Sequence, residues 1–247
     1  MKLNEFFQTY PKVALAFSGG CDSAYLLAIA KKHGVNIKPY FVQSALQPQF
    51  ELEDALRLGK ELSIPITILT LNIFEDARII ANPSNRCYYC KQKIMNLIKE
   101  QSTTDGYSIL IDGTNASDNS NDRPGMKASQ ELGILSPLRL CNVTKSEIRQ
   151  CSKELNLFTW NKPAYACLAT RIPTNQKLSA PLLKIIENAE TELQKLGFKD
   201  FRIRIYHEAA QLQFSQKDMF RAIEQKEFIQ QNLQPYFKLI LLDLAGR

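Results

Sequence analysis

The stretch KVALAFSGGCDSAYLLAIAKKHG, residues 12–34, decides the fold prediction. It begins with a short apolar run that breaks at Ser18-Gly19-Gly20, and an apolar pattern with helical spacing follows until His33-Gly34. A strand, a glycine-rich turn and a helix in this order form the opening of a βαβ unit. Because later segments also alternate between strand and helix patterns, we expect an α/β fold with a mostly parallel sheet covered on both faces.

The pattern of predicted elements changes near residue 174. Before this point, periodicity predicts strands over 35–42, 65–71 and 107–112 and helices over 49–62, 91–101 and 146–156. After it, we predict an amphipathic helix over 180–197, an antiparallel pair formed by FRIRIYHE and AAQLQFS, a helix over 218–232 and a strand over 237–244. We therefore expect a nucleotide-type domain over 1–173 and a small α+β domain over 174–247.

Composition narrows the classes of function. The chain has 247 residues, of which 45% are hydrophobic and 23% are charged, as in an ordinary globular protein. Its net charge of +6 suits an anionic ligand but is too small to indicate a polynucleotide partner. With only two histidines, His33 and His207, a histidine-rich zinc site and Ser-His-Asp catalysis are poor hypotheses.

Targeting segments are not indicated by the sequence. It contains no run of about 18 apolar residues that would form a membrane-spanning helix. Polar residues also interrupt the first 20 residues, so no apolar signal-peptide core is present. We therefore expect a cytoplasmic protein with no membrane partner. Because thiols stay reduced in that compartment, we interpret the six cysteines as buried residues, metal ligands or reactive thiols rather than disulfides.

The motif SGGCDS, Ser18 to Ser23, is a candidate phosphate-binding loop. Its glycines let backbone N–H groups approach a phosphate, the helix start adds a positive dipole end, and its two serines add hydroxyl donors. The motif is neither GxxxxGK[ST] nor GxGxxG, which disfavours P-loop NTPases and Rossmann dehydrogenases. A tight turn without a ligand is the alternative. Cys21 is interpreted either as a packing residue behind the loop or as a thiol activated by the helix start.

The other cysteines differ in their sequence surroundings. Cys87 and Cys90 form a CxxC beside basic residues, which favour thiolates, and this spacing fits a buried pair, a redox pair or half of a metal site. Cys167 lies in PAYACLATRIP, residues 163–173, a segment between prolines that has neither helical nor strand periodicity. Such a segment is typical of a shaped loop, so Cys167 is a candidate functional thiol. Cys141 and Cys151 are predicted to be structural.

Taken together, these segments resemble the LarE-type ATP-dependent sacrificial sulfur transferases, a branch of the PP-loop ATP pyrophosphatases. The matching pieces are SGGCDS (18–23), NPSNRCYYCK (82–91), DGTNASDNSNDRPGMKA (112–128), ELGILSPL (131–138), PAYACLATRIP (163–173) and FRIR (201–204). They follow one another along nearly the whole chain, which is far more specific than any single motif. The resemblance implies a PP-loop, adenine nucleotide alpha-hydrolase-like parallel sheet with a small C-terminal α+β domain.

The resemblance also implies a reaction. Members of that family use ATP and Mg²⁺ to adenylate a carboxylate of pyridinium-3,5-biscarboxylic acid mononucleotide. A cysteine, here Cys167, attacks the acyl-adenylate and loses its sulfur to give a thiocarboxylate for the nickel-pincer nucleotide cofactor of lactate racemase. Other members hold a [4Fe-4S] cluster on three cysteines and relay sulfide from it, and Cys87, Cys90 and Cys167 match that set. The sequence leaves both sulfur sources open.

Individual roles follow from the same resemblance. The predicted ATP-binding residues are Ser18, Gly19, Gly20, Asp22, Ser23 and Thr114, and Asp22 would lie near the pyrophosphate and its Mg²⁺. The predicted catalytic residues are Cys167, Asp22 and Arg171. The anionic substrate would be bound by Arg123, Arg202 and Arg204. On a strand, the last two point to one face, as a shared anion site requires, and a solvated hairpin face is the alternative.

Two other functions would use some of the same sequence features. A PP-loop tRNA thiolation enzyme would use the same adenylation and cysteine chemistry, but we would expect it to carry an RNA-binding module and a broader basic surface. A non-catalytic nucleotide-sensing protein would keep only the phosphate loop. We therefore expect a small anionic nucleotide as the partner and no nucleic acid. The resemblance further implies a homo-oligomer, with the small domain over 174–247 serving substrate binding or oligomerisation.

Overall fold

A computed structural model describes residues 2–118 and 124–247, so the predicted substrate-binding residue Arg123 lies outside the described residues. The chain divides into two compact units. Unit 1 comprises Met1–Ile73 and Asn85–Ala164, and unit 2 comprises Phe74–Ser84 and Tyr165–Arg247. These units differ from the two predicted continuous domains, 1–173 and 174–247, at 74–84 and at 165–173.

Strands and helices alternate along unit 1, whereas unit 2 contains an antiparallel strand pair and a third, short strand. The strands are β1 Lys12–Ala16, β2 Asn36–Gln43, β3 Thr67–Thr70, β4 Leu110–Asp112, β5 Phe201–Tyr206, β6 Ala209–Phe214 and β7 Ile240–Leu242. The helices are α1 Leu3–Thr9, α2 Cys21–Lys32, α3 Gln49–Glu61, α4 Ala77–Ile80, α5 Arg86–Thr104, α6 Pro124–Glu131, α7 Pro137–Leu140, α8 Lys145–Glu154, α9 Ala180–Lys195, α10 Gln216–Glu224 and α11 Lys226–Leu233. Short 3₁₀ helices lie at Ile73–Glu75, Phe158–Asn161 and Leu168–Arg171. None of these helices has the length and hydropathy needed to cross a bilayer.

Unit 1 is built on a parallel sheet with the strand order β3-β2-β1-β4. Its central strand β1 is almost wholly apolar, and Val13 and Leu15 are fully buried. Helix α2 packs into the same core through Ala24, Leu26 and Leu27, which are inaccessible to solvent. The turn between β1 and α2 therefore lies at the C-terminal edge of the sheet, where open α/β sheets bind ligands.

Unit 2 contains a small mixed sheet in the order β5-β6-β7. β5 and β6 are antiparallel and are joined by His207-Glu208, where His207 adopts a left-handed φ of 54°; β7 runs parallel to β6. One sheet face is apolar, and α9 supplies buried residues such as Ile186 and Leu193 to this unit. Alternation leaves polar side chains of β5 and β6 on the opposite face.

The predicted α/β fold class, a parallel sheet with a small C-terminal α+β part, is confirmed. Most differences concern element ends. The helix predicted over 218–232 is two helices that meet at Gln225, and the strand predicted over 237–244 is limited to Ile240–Leu242. The helix predicted over 91–101 already begins at Arg86, so the CxxC lies in its first turn.

Candidate functional site

The phosphate loop of unit 1 is organised by its own serines. The Ser23 hydroxyl accepts a hydrogen bond from the Ser18 backbone N–H at 3.3 Å and donates one to the Gly20 carbonyl at 3.2 Å. The two serine hydroxyl oxygens lie 3.0 Å apart. Gly19 adopts a left-handed φ of 70°, and a Cβ there would lie 3.2 Å from the Glu51 carbonyl oxygen, so glycine is required by conformation and by space.

Helix α2 starts immediately after this turn without a capping side chain, because its N-cap is Gly20. The first N–H groups of an uncapped helix are available to an anion, and the helix dipole favours negative charge there. Asp22 lies in this first turn. The arrangement suits a phosphate group at the start of α2.

Asp22 faces a cation that the sequence analysis did not identify. The Nζ atom of Lys145, the first residue of α8, lies 2.6 Å from Asp22 Oδ1, and both side chains are partly exposed. Thr144 and Glu147 form a capping box that fixes the start of α8 and thereby places Lys145. The S/T-x-x-E pattern was the available sequence signal. A carboxylate joined by phosphate oxygens is a usual Mg²⁺ environment, so Asp22 fits the predicted ion.

The end of β4 approaches the same loop. A Cβ on Gly113 would lie 3.0 Å from the backbone nitrogen of Ser23, so this turn and the start of α2 are in close backbone contact. The buried carboxylate of Asp112 accepts hydrogen bonds from the Ser136 hydroxyl at 2.7 Å and from the Thr114 N–H at 3.1 Å. The structure thus brings the predicted ATP-binding residue Thr114 to the turn beside the phosphate loop.

Cys21 is a packing residue. Its side chain is buried, and its sulfur lies 3.8 Å from the Ser152 hydroxyl. Burial raises the pKa of the Cys21 thiol, which keeps the thiol neutral despite the nearby helix start. The geometry therefore favours the packing interpretation over an activated nucleophile.

Cys87 and Cys90 lie one helical turn apart in the first turn of α5 and so share a face of that helix. Cys87 is exposed, and the Nη2 atom of buried Arg86 lies 3.5 Å from its sulfur. All six cysteines are described and none forms a disulfide. In residues 2–118 and 124–247, no three His, Cys, Asp or Glu side chains are grouped closely enough to hold a metal ion.

The predicted thiol of unit 2, Cys167, lies directly before the 3₁₀ helix Leu168–Arg171 and is partly exposed. Its carbonyl oxygen accepts hydrogen bonds from the backbone N–H and the hydroxyl of Thr170, at 3.0 and 2.9 Å. Buried Asn82 donates to the Pro173 carbonyl at 2.9 Å and so attaches the α4 segment to the end of the same loop. Nothing in the sequence around Asn82 predicted this contact.

Arg171, which the sequence predicts to be catalytic, is a buried residue in the structure. It is 1% exposed, and its Nε and Nη2 atoms pair with both carboxylate oxygens of Glu190 at 2.8 and 3.0 Å. Its Nη1 atom donates to the Ala166 carbonyl at 2.7 Å, next to Cys167. Burial alone would lower the pKa of Arg171, but the hydrogen bond and charge of Glu190 raise it. This guanidinium holds the loop and is not open to a substrate.

Glu190 was missed by sequence reasoning, although α9 contained a signal. Buried Leu183, Ile186 and Leu193 mark the apolar stripe of this helix, and Glu190 occupies a position of the same stripe. An acid on an apolar face requires a buried partner. Besides Arg171, that partner set includes the Tyr165 hydroxyl and the Ile203 N–H, which both donate to the Glu190 carboxylate.

Arg202 and Arg204 lie on the polar face of the unit 2 sheet, as predicted for two residues of one strand. Arg204 donates to Gln213 Oε1 at 2.7 Å and to the Thr170 carbonyl at 3.0 Å. The Arg202 side chain makes no hydrogen bond or ion pair within the described residues. Burial lowers the pKa of Arg202, and the neighbouring cations Arg247, Arg171 and Arg204 lower it further. A half-buried cation among cations suits an anionic ligand.

Comparison with known proteins finds relatives that match this chain over nearly its whole length. No family model matches it. An uncharacterized protein of Synechocystis is 31% identical, covering 99% of this chain and 92% of the relative. An uncharacterized protein of Methanocaldococcus jannaschii is 30% identical, covering 94% and 89%. The pyridinium-3,5-bisthiocarboxylic acid mononucleotide synthase of Lactiplantibacillus plantarum is 28% identical, covering 95% and 86%.

The chain belongs to the LarE family of PP-loop proteins.

This membership confirms the family and fold inferred from the motifs. For a LarE-family protein, the structure places the predicted residues in two groups. Unit 1 carries the phosphate loop, Asp22, Thr114 and the CxxC, whereas unit 2 carries Cys167, Arg171, Arg202 and Arg204. The roles of these residues in binding and catalysis stay predictions.

Proposed function

We propose that this protein is an ATP-dependent sulfur transferase acting on pyridinium-3,5-biscarboxylic acid mononucleotide. It adenylates one carboxylate, releases pyrophosphate, and replaces the adenylate with sulfur to give a thiocarboxylate. The proposal takes its substrate class from the 28% identical relative named as a bisthiocarboxylic acid mononucleotide synthase. The observation that carries its first half is the uncapped start of α2 at the glycine turn beside Asp22.

Adenylation requires a site that tolerates the charge on the phosphates and on the leaving pyrophosphate. The N–H groups at the start of α2 and the ammonium of Lys145 supply positive potential from this chain's own residues. Bound Mg²⁺ would add charge neutralisation of the phosphate oxygens, with Asp22 as its protein ligand. The Asp22 carboxylate is paired with Lys145.

Sulfur insertion requires a thiol held near cationic groups, and unit 2 supports this role. Cys167 is partly exposed, whereas its loop is fixed through Ala166 and Thr170 by the buried Arg171 and by Arg204. The substrate carries a phosphate and two carboxylates, so the polar face with Arg202 and Arg204 matches its charge.

The proposed sulfur step balances without an oxidant. The Cys167 thiolate attacks the carbonyl carbon of the acyl-adenylate, and AMP leaves with the electron pair of the broken C–O bond. Transfer of the Cys167 Cα proton to solvent water then breaks the Cβ–S bond, which leaves dehydroalanine in the protein and a thiocarboxylate on the substrate. The alternative source is sulfide from a cluster that Cys87, Cys90 and Cys167 would hold.

The test uses protein purified without oxygen and incubated with ATP, Mg²⁺ and pyridinium-3,5-biscarboxylic acid mononucleotide. We expect AMP, pyrophosphate and a thiocarboxylate product, with an intact-protein mass loss of about 34 Da at Cys167 for the sacrificial route. No substrate-dependent AMP, or no such mass loss and no cluster absorbance while the product still forms, would contradict the proposal.

Three cysteine variants separate the routes. Cys167→Ser should form AMP and pyrophosphate but no thiocarboxylate, because it retains the phosphate loop and lacks the sulfur. Cys87→Ser should keep full transfer if Cys167 is consumed and lose it if a cluster relays sulfide. Cys141→Ser is the matched control, since Cys141 follows α7, belongs neither to the phosphate loop nor to the predicted cysteine set, and should change neither product. Thiocarboxylate formation by Cys167→Ser would exclude both routes through this residue.

A further inference from the structure

The polar face of the unit 2 sheet contains a chain of hydrogen bonds that has no role in the proposed reaction as described above. β5 and β6 pair so that Arg202 is opposite Gln213 and Arg204 is opposite Gln211. Asp243 follows β7, which runs parallel to β6, and its backbone N–H donates to the Leu212 carbonyl at 2.9 Å. Two arginines, two glutamines and one carboxylate therefore share a small surface.

Gln213 is the link between the carboxylate and one arginine. Its Nε2 atom donates to Asp243 Oδ2 at 2.7 Å, which fixes the orientation of the amide. Its Oε1 atom then accepts a hydrogen bond from Arg204 Nε at 2.7 Å. Since the contact to Arg204 is made by a neutral amide, the guanidinium is oriented without being neutralised by a carboxylate.

Arg204 in turn holds the loop that contains Thr170 and Cys167. Its Nη1 atom donates to the Thr170 carbonyl at 3.0 Å, and the Thr170 hydroxyl donates to the Cys167 carbonyl at 2.9 Å. Of the five N–H hydrogens of this guanidinium, two are used in these contacts within the described residues, so several remain for an anion.

We propose that Gln213 and Asp243 are positioning residues that orient Arg204, and through Thr170 the Cys167 loop, so that an anionic group is received next to the thiol. The inference deepens the proposed function, because it rests on Arg204 and Cys167 meeting an anionic substrate. Neither Gln213 nor Asp243 touches the reacting atoms. They act by fixing the orientation of the Arg204 guanidinium near Cys167.

The experiment measures the charge preference of Cys167 without turnover. Anionic iodoacetate and neutral iodoacetamide alkylate the same thiolate, so the ratio of their rates at Cys167, resolved by peptide mass spectrometry, reports the local cationic field. We expect Gln213→Leu to lower this ratio by about 3- to 10-fold, and Arg204→Met to lower it at least as much. In the double variant, Gln213→Leu should cause no further loss, because its effect acts through Arg204.

Gln211→Leu is the matched control. Gln211 lies on the same face of β6, opposite Arg204, and donates to the same Asp243 oxygen at 3.1 Å, but its side chain forms no hydrogen bond with Arg204 in the described structure. A merely structural role of these glutamines would lower the melting temperature in both variants and leave the ratio unchanged. An unchanged ratio in Gln213→Leu, or equal falls in the two variants, would overturn the inference.

Gln213→Asn keeps the test decisive if Gln213→Leu does not fold. Its amide is one methylene shorter, so it no longer joins Asp243 to Arg204, and the substitution changes no charge; a fall of the ratio in the same direction is therefore expected. No fall in this variant would then refute the positioning role. Because alkylation requires neither ATP nor turnover, failure of this test is distinguishable from failure of the AMP-forming assay, which would refute the proposed reaction itself.

Discussion

The phosphate loop and the Cys167 loop are assembled by opposite means. Residues 18–23 are held mainly by hydrogen bonds among themselves, and the main requirements are two serines, a left-handed glycine and a helix start. The Cys167 loop is held by groups from distant parts of the chain, namely Asn82, Glu190 and Arg204. The first loop is local in sequence, whereas the second depends on the packing of the whole of unit 2.

This difference determines where each loop is vulnerable. A backbone phosphate site tolerates changes outside its own residues provided that the strand and helix remain. The Cys167 loop contains a buried guanidinium, so its stability depends on one carboxylate of another helix. Removing one partner of a buried ion pair costs far more than removing one partner of an exposed pair. Four substitutions sharpen this comparison.

The largest loss is expected from Glu190→Gln. The variant leaves Arg171 buried without its counter-charge, which should cost about 3–5 kcal/mol in the free energy of unfolding. Chemical denaturation monitored by fluorescence measures the change, and Cys167 should become more reactive toward iodoacetamide when its loop loosens. Glu61→Gln is the matched control, because Glu61 pairs with Arg57 on the exposed face of α3 and should cost less than about 0.5 kcal/mol. Equal losses in the two variants would contradict a buried, structural Arg171.

A smaller loss of stability, with a specific loss of function, is expected from Gly19→Ala. The left-handed φ of 70° should cost about 1 kcal/mol for alanine, and the new Cβ would lie 3.2 Å from the Glu51 carbonyl oxygen. AMP formation should fall at least about tenfold because the phosphate loop is displaced. Gly34→Ala has nearly the same φ, 69°, with no atom within 4 Å of its Cβ. That control should lose similar stability and retain AMP formation; loss in both would point to global destabilisation.

The same contrast explains what the sequence could predict. The β1–turn–α2 unit, the parallel sheet and the phosphate loop follow from apolar periodicity and a contiguous six-residue motif, and the structure contains them. The position of Arg171 could not be predicted, because the residues that bury it are distant in sequence and Glu190 is visible only as an acid on the apolar stripe of α9. Lys145 was likewise missed because its meeting with Asp22 depends on how α8 packs against α2.

A substitution of Lys145 tests whether the phosphate loop needs a residue that is distant in sequence for AMP formation. Lys145→Met should reduce kcat/KM for AMP formation by about tenfold, because it removes a cation beside the α2 start while leaving the loop hydrogen bonds intact. The measurement is pyrophosphate release at varied ATP concentration. Lys127→Met is the control, since Lys127 makes a long, exposed contact of 3.9 Å with Glu131 on α6. A Lys145→Met enzyme as active as this control would show that the phosphate site is complete without Lys145.

The smallest effect concerns Asp105, where unit 1 makes a distant polar contact outside its loop. Hydrogen bonds from Lys38 and Tyr40 on β2 lower the pKa of Asp105 to about 2. Since the folded-state pKa lies below the usual value of about 3.9, the contact stabilises the fold above pH 4, and this contribution is lost as the pH falls through about 2. Asp105→Asn should therefore melt below the wild type at pH 7, and the two melting curves should converge toward pH 2. A difference that is independent of pH would mean that the shape of the Asp105 side chain, and not its charge, makes this contact.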